Sequence, residues 1–174
     1  MYTYLISSLA MLNFGDTPPF SYQSFLKICQ EFIPERDIEI LKDISRVDIE
    51  NIEVHQPTLK KWYTFEVILR NELVKLRAAC KKIDLEKYLR PTDDDLVESH
   101  LTHIAHLAYQ SHSILEGEEI LDRGRWQKLD DLEFGHYFDL DHLICYACKL
   151  LILERWQRIK SSDSHKLLEQ TLQG

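Results

Sequence analysis

The stretch Leu140-Asp-His-Leu-Ile-Cys-Tyr-Ala-Cys-Lys-Leu-Leu-Ile-Leu153 decides the fold. Leu140, Leu143, Ile144, Tyr146, Ala147, Leu150, Leu151, Ile152 and Leu153 cover most of a helical circumference. A helix that is apolar nearly all round has no face to offer water, so it belongs at the centre of a helical body. Gly135 breaks the chain ahead of it and Asp139 stands where an N-cap belongs. Leu143, Ala147, Leu150 and Leu151 are the expected core positions, and Glu154-Arg155-Trp156-Gln157-Arg158 is expected to re-emerge into solvent.

Upstream of that helix, Phe65, Leu69, Leu73, Leu76, Cys80 and Ile83 recur every three or four residues after Pro57. That spacing lays them on one stripe of a long helix. Asp93-Asp94-Asp95 supplies a dipole-matched start for a helix through Leu96, His100, His103, Ile104 and Leu107, which then continues as helix over 114–134. Gly117 and Gly124 lie seven residues apart inside that last span. Each costs about 1 kcal/mol of helix propensity relative to alanine. Two readings stand: a neighbouring helix approaches closely, or Gly117 ends a helix.

Before Pro57 the pattern is more broken. Residues 1–20 read as an irregular or extended entry closed by Pro18-Pro19, which remove two backbone donors. Ser21 is placed to cap a helix through Phe25, Leu26, Cys29 and Phe32, and Pro34 to open the next, with Glu35 and Asp37 in its first turn. Val47, Ile49, Ile52 and Val54 suit a short strand, whereas Asp48 and Glu50 suit a solvated linker. The expectation is one all-α domain over 1–174: an entry (1–20), short helices and a linker (21–56), and a main helical body (57–174), built as a bundle or array around one central buried helix.

Composition excludes several functions. Of 174 residues, 44% are hydrophobic and 29% charged, which is a globular balance. Five glycines and five prolines are too few for the turns of a sandwich or barrel. Twenty-one Lys and Arg against 29 Asp and Glu leave a net charge of −8, so no phosphate-binding surface and no nucleic-acid partner are expected. No apolar run reaches the roughly 20 residues of a membrane span. No basic residue precedes Lys27, contrary to a signal peptide. These features predict a cytoplasmic protein.

Four groups of residues invite a chemical reading. Glu98, His100, His103, His106 and His112 carry metal-ligand side chains, and helical residues three apart can share one ion. A metal-dependent helical enzyme would use Glu98, His103 and His106, joined by His136 or His142. No His-Glu-x-x-His order is present, so histidines on a half-buried face or at a helix contact are the simpler account. His136, Asp139, Asp141 and His142 crowd a helix start, where capping and solvation suffice. Cys145 and Cys148 have redox or zinc spacing but sit inside the apolar helix, as buried small hydrophobes would. Arg123 and Arg125 could hold a carboxylate or phosphate, although Asp122, Asp130 and Asp131 favour internal ion pairs. No catalytic residue, metal ligand or cofactor is assigned from these groups.

Several stretches resemble one family. They are Tyr2-Thr-Tyr-Leu-Ile-Ser-Ser-Leu-Ala with Pro18-Pro19, Phe65-Glu66 with Leu69-Arg70-Asn71, and Leu121-Asp-Arg-Gly-Arg-Trp-Gln-Lys-Leu129. Gly135-His-Tyr-Phe-Asp-Leu-Asp141 and Lys149-Leu-Leu-Ile-Leu-Glu-Arg-Trp156 complete the set. Together these are similar to an uncharacterised bacterial family encoded among V-type ATPase subunit genes, with Ala10 replacing a proline of that family. More distantly, the pattern resembles the all-helical V-type ATPase C subunit. The resemblance implies a non-catalytic accessory or central-stalk-like component whose partners are V-type ATPase subunits and which lies peripheral to the membrane through that complex.

Overall fold

The computed structural model describes residues 2–46, 56–81, 85, 87–91 and 99–172, the last helix by backbone alone beyond 162. The architecture is all-α, with no strand among the described residues. Its helices are α1 (Tyr2–Ser8), α2 (Tyr22–Gln30), α3 (Glu35–Arg46), α4 (Pro57–Lys81), α5 (Ser99–Gln110), α6 (Ile114–Glu133) and α7 (Leu140–Leu172). They form two compact units, Met1–Asp48 with Glu133–Gly174, and Ile49–Leu132. The candidate strand residues Val47, Ile49, Ile52 and Val54, the Asp93-Asp94-Asp95 start and Ile83 lie outside the described residues.

In the first unit α7 packs against α2 and α3. Every residue from Leu143 to Leu150 is buried, and Leu143, Ala147 and Leu150 are fully so. Leu151 departs from the expected core and is half-exposed. Beyond Leu150 burial narrows to Ile152, Leu153 and Trp156, and at 100° per residue Leu151 sits roughly 150° round the helix from that stripe. The tail is likewise less solvated than expected. Trp156 is buried, and Glu154 Oε1 accepts the Tyr22 backbone N–H at 2.8 Å, satisfying an orphan donor of α2.

Ser21 caps α2 as its sequence predicts, accepting the Ser24 N–H at 3.2 Å. Phe25, Leu26 and Cys29 on α2 and Ile38, Leu41 and Ile44 on α3 form the inward faces. The entry corrects the expectation of an irregular segment: Tyr2–Ser8 is helical, and only residues 9–20 are extended or turning. No glycine or proline interrupts Tyr2–Ser8, and its single buried side chain, Leu5, is a core anchor too sparse to register as periodicity. The segment beyond Ser8 is tied down where the Tyr146 hydroxyl donates to Ala10 O at 2.9 Å.

In the second unit Gln56 caps α4, its Oε1 accepting the Leu59 N–H at 2.6 Å. The expected stripe is buried at Phe65 and Leu69, half-exposed at Leu73 and Leu76, and exposed at Cys80. Thr102 donates to Glu72 and Tyr109 to Cys80, so α5 runs in the same direction as α4. The helix expected to run on into 114–134 instead stops at Gln110. Ser113 restarts it, accepting the Glu116 N–H at 3.1 Å while Glu116 reaches back to the His112 N–H at 2.9 Å. α6 then returns antiparallel to α5.

The glycines explain that return. A Cβ on Gly117 would lie 2.8 Å from Ala108 O, and one on Gly124 would lie 2.9 Å from Ile104 Cδ1. Both therefore serve close helix approach, and Gly117 lies in the first turn of α6 rather than ending a helix.

Candidate functional site

The connection between α6 and α7 gathers exposed aromatics and charged groups on one short turn. Glu133 closes α6, Gly135 adopts φ +87°, and the His136 N–H donates back to Glu133 O at 2.9 Å. That positive φ is a conformation glycine adopts without a Cβ penalty. Asp139 then caps α7, its Oδ1 accepting the His142 N–H at 3.0 Å and its Oδ2 lying 2.7 Å from His136 Nδ1. Desolvation opposes ionisation of Asp139, but the hydrogen bonds from His136 and the His142 amide outweigh it and hold the carboxyl below its ordinary range.

Beneath the turn, Glu133 joins two side chains of α7, His142 and Lys149. Its Oε1 lies 2.9 Å from His142 Nδ1, and Oε2 accepts a hydrogen bond from Lys149, a buried lysine. Burial works against the Glu133 charge, yet His142 and Lys149 win and lower its pKa. Glu133 is thereby locked to the first turns of α7. On this clamped turn Phe134, Tyr137 and Phe138 are 85%, 66% and 52% exposed. Aromatic side chains bury large areas when covered, so these solvent-facing ones leave an uncovered apolar surface on a fixed turn.

The residues singled out by sequence are distributed otherwise. His100, His103, His106 and His112 are all exposed, which corrects the half-buried or contact placement. α5 buries Leu101, Ile104, Ala105 and Ala108, a complete i, i+3, i+4, i+7 face that leaves the histidines outside it. Glu98 lies outside the described residues. Among the described residues the group able to hold a metal ion is His136, Asp139 and Asp141, whose ligand atoms lie within 4.8 Å of one another. Cys145 and Cys148 form no disulfide and are buried as expected, and burial pushes the Cys145 thiol up to about 12, away from thiolate chemistry.

Arg123 pairs with Glu119 at 2.7 Å on the surface. Arg125 turns inward: Nε and Nη2 clasp Glu66 at 2.7 and 3.2 Å, and Nη1 reaches Asp122 at 2.9 Å. Burial disfavours the guanidinium charge, but the two carboxylates outweigh it and raise the pKa. Asp122 is legible as a partner from its position three residues away. Glu66, 59 residues earlier, is not, because nothing local ties α4 to α6. The exposed turn aromatics escape the sequence reading as well, although Phe134, Tyr137 and Phe138 flank a glycine outside any helical stripe, which is a usable signal.

The geometry defines an all-helical protein in which the Glu133 and Arg125 clusters hold helices in place. No helix among the described residues is long and apolar enough to cross a membrane. The chain belongs to the family described as a protein of unknown function (DUF2764), whose model matches residues 51–173. No curated protein and no solved structure matches it.

Proposed function

We propose that this chain is a non-catalytic helical component that binds other proteins, and that its partners are subunits of a bacterial V-type ATPase. The resemblance of the Leu121–Leu129, Gly135–Asp141 and Lys149–Trp156 stretches suggests the partner. The observation that carries the binding role is the exposure of Phe134, Tyr137 and Phe138 on a turn pinned by Glu133, Gly135 and Asp139. Such preorganisation lowers the ordering cost of association. A chain of net charge −8 is complementary to basic partner surfaces.

Affinity purification of the full chain from its native cells tests this, with Phe134→Ala/Tyr137→Ala/Phe138→Ala beside it. Rotary-ATPase subunits are expected with the natural chain and depleted with the variant. Recovery of none overturns the ATPase assignment, and recovery of other partners through the same aromatics would make the chain a helical adaptor of another assembly. The metal-dependent reading through Glu98, His103 and His106 is disfavoured by the exposure of both histidines. Its remaining support is the His136, Asp139 and Asp141 group. Elemental analysis of tag-free protein decides it, since metal well below one equivalent with unchanged stability in chelator removes the idea.

A further inference from the structure

The last two turns of α4 carry Val74, Arg77, Ala78 and Lys81, spaced i, i+3, i+4 and i+7 along one helix face. A smaller depression lies on that face and a larger one beside it, and the two share Arg77. One, of about 320 Å³, is bounded by Leu73, Tyr109, Ile114 and Leu121; the other, of about 170 Å³, by Val74, Ala78, Lys81 and Tyr88. The smaller depression is almost wholly apolar, whereas the larger also presents Ser111, His112, Ser113 and Glu118; exposed apolar side chains stand at their rims, with Ile114 89%, Tyr88 53% and Tyr109 42% exposed. Arg77 and Lys81 are exposed, and among the described residues neither has an ion-pair or hydrogen-bond partner. This contrasts with Lys75 in the preceding turn, which pairs with Glu72 at 2.6 Å.

Cations in the last turn of a helix complement its dipole, which accounts for two basic residues there. It does not account for the apolar depression beside them or for the exposed Ile114, Tyr88 and Tyr109. An apolar groove along a helix, edged by exposed apolar side chains, is the surface that a second amphipathic helix fills through anchors at i, i+3, i+4 and i+7. Free cations along such a face select a partner with acidic flanks and reject a basic one. We propose that the end of α4 docks an amphipathic helical segment of a partner protein, apolar toward the two depressions and acidic toward Arg77 and Lys81. The proposal goes beyond the ATPase assignment and does not depend on it, because it concerns recognition at one surface of the second unit.

A fluorescein-labelled helical peptide of Leu, Ala and Glu, with Leu at i, i+3, i+4 and i+7, is titrated with the full chain, alongside the same peptide with Lys for Glu. Saturable binding of the Glu peptide alone is expected. Arg77→Glu/Lys81→Glu should weaken it about tenfold or more and create affinity for the Lys peptide. Ile114→Asp should weaken it with an unchanged circular dichroism spectrum. Should the charge reversal unfold the chain, Arg77→Gln/Lys81→Gln is expected to lose affinity without gaining it for the Lys peptide. Binding of neither peptide, equal binding of both, or indifference to these substitutions overturns the proposal. So does charge-dependent binding to phosphatidylserine vesicles in place of the Glu peptide, which would put a membrane surface on this face.

Discussion

The interiors of the two units differ in chemistry. Around α7 the interior is mostly apolar, with Leu143, Ile144, Cys145, Ala147 and Leu150 fully buried and Lys149, bonded to Glu133, the charged exception. Around α6 the interior includes a fully buried Asp122, the Arg125 fork and two glycines that admit α5 at close range. The apolar helix is placed chiefly by the solvent's rejection of most of its surface, which any packed apolar neighbour relieves. The polar helix is placed by particular partners, and it tolerates only those that complete its pairs.

The largest expected effect tests the polar side. Arg125→Ala leaves the Asp122 and Glu66 carboxylates without their guanidinium, at a cost of about 3–5 kcal/mol in denaturant unfolding. Replacing all three residues by apolar side chains of similar volume should recover most of that loss. If the triple replacement is no better than Arg125→Ala, the cluster is not acting through charge compensation. On the apolar side, Leu150→Ala should cost about 2–5 kcal/mol by lost transfer energy and a residual cavity. Leu151→Ala, at a half-exposed position, should cost visibly less in the same assay.

The glycines offer a finer contrast. Gly117→Ala would drive a Cβ against the Ala108 carbonyl, a backbone atom, so overpacking of about 1–3 kcal/mol should outweigh the roughly 1 kcal/mol gained in helix propensity. Gly124→Ala meets the end of the Ile104 side chain, which can turn aside, and its net change should stay within about 1 kcal/mol. Thermal unfolding of the pair ranks them, and equal losses would contradict the difference in what each Cβ meets.

Acid should act on the turn that leads into α7. The folded pKa values of Glu133 and Asp139 are depressed, so their contribution is present above the unfolded values of about 4.3 and 3.9 and is lost as pH falls through the lower folded ones. Glu133→Gln should flatten the stability profile between about pH 5 and 2. A profile as steep as that of the natural chain would mean that Glu133 is not a source of the acid sensitivity. The smallest expected effect is at the exposed histidines: His103→Ala and His106→Ala should each change stability by no more than about 0.5 kcal/mol. A larger loss that appears only when metal is supplied would revive the ion-binding reading of α5.

The units also differ in how much of each is legible in sequence. Ser21, Gln56 and Asp139 are caps whose effect reaches only the next turn; two of them, Ser21 and Asp139, are recognisable in sequence because their partners are three residues away. The break at Ser111–Ser113 escapes notice even though Ser113-x-x-Glu116 spells a reciprocal cap, because the flanking helical periodicity runs through it. Tyr2–Ser8 escapes notice for the opposite reason, since a short helix held by Leu5 alone has no period to detect. The outward turn of the α5 histidines depends on which face of α5 packs, and Ile104, Ala105 and Ala108 settle that only in the presence of α4 and α6.

By itself the sequence determined that the protein is helical, that most of the apolar run at 140–153 is buried, where α2, α3, α4 and α7 begin, and that Cys145 and Cys148 lie inside that helix. All of these come from hydrophobic periodicity and from hydrogen bonds spanning a few residues. Tertiary structure alone decided that Arg125 finds Glu66 across 59 residues, that Gly117 and Gly124 admit a neighbour, that Leu151 is half-open, and that Phe134, Tyr137 and Phe138 face solvent. The reason is range: local rules fix which atoms must leave water or find a partner within a turn, whereas distant partners and uncovered faces depend on which surfaces the folded chain brings together.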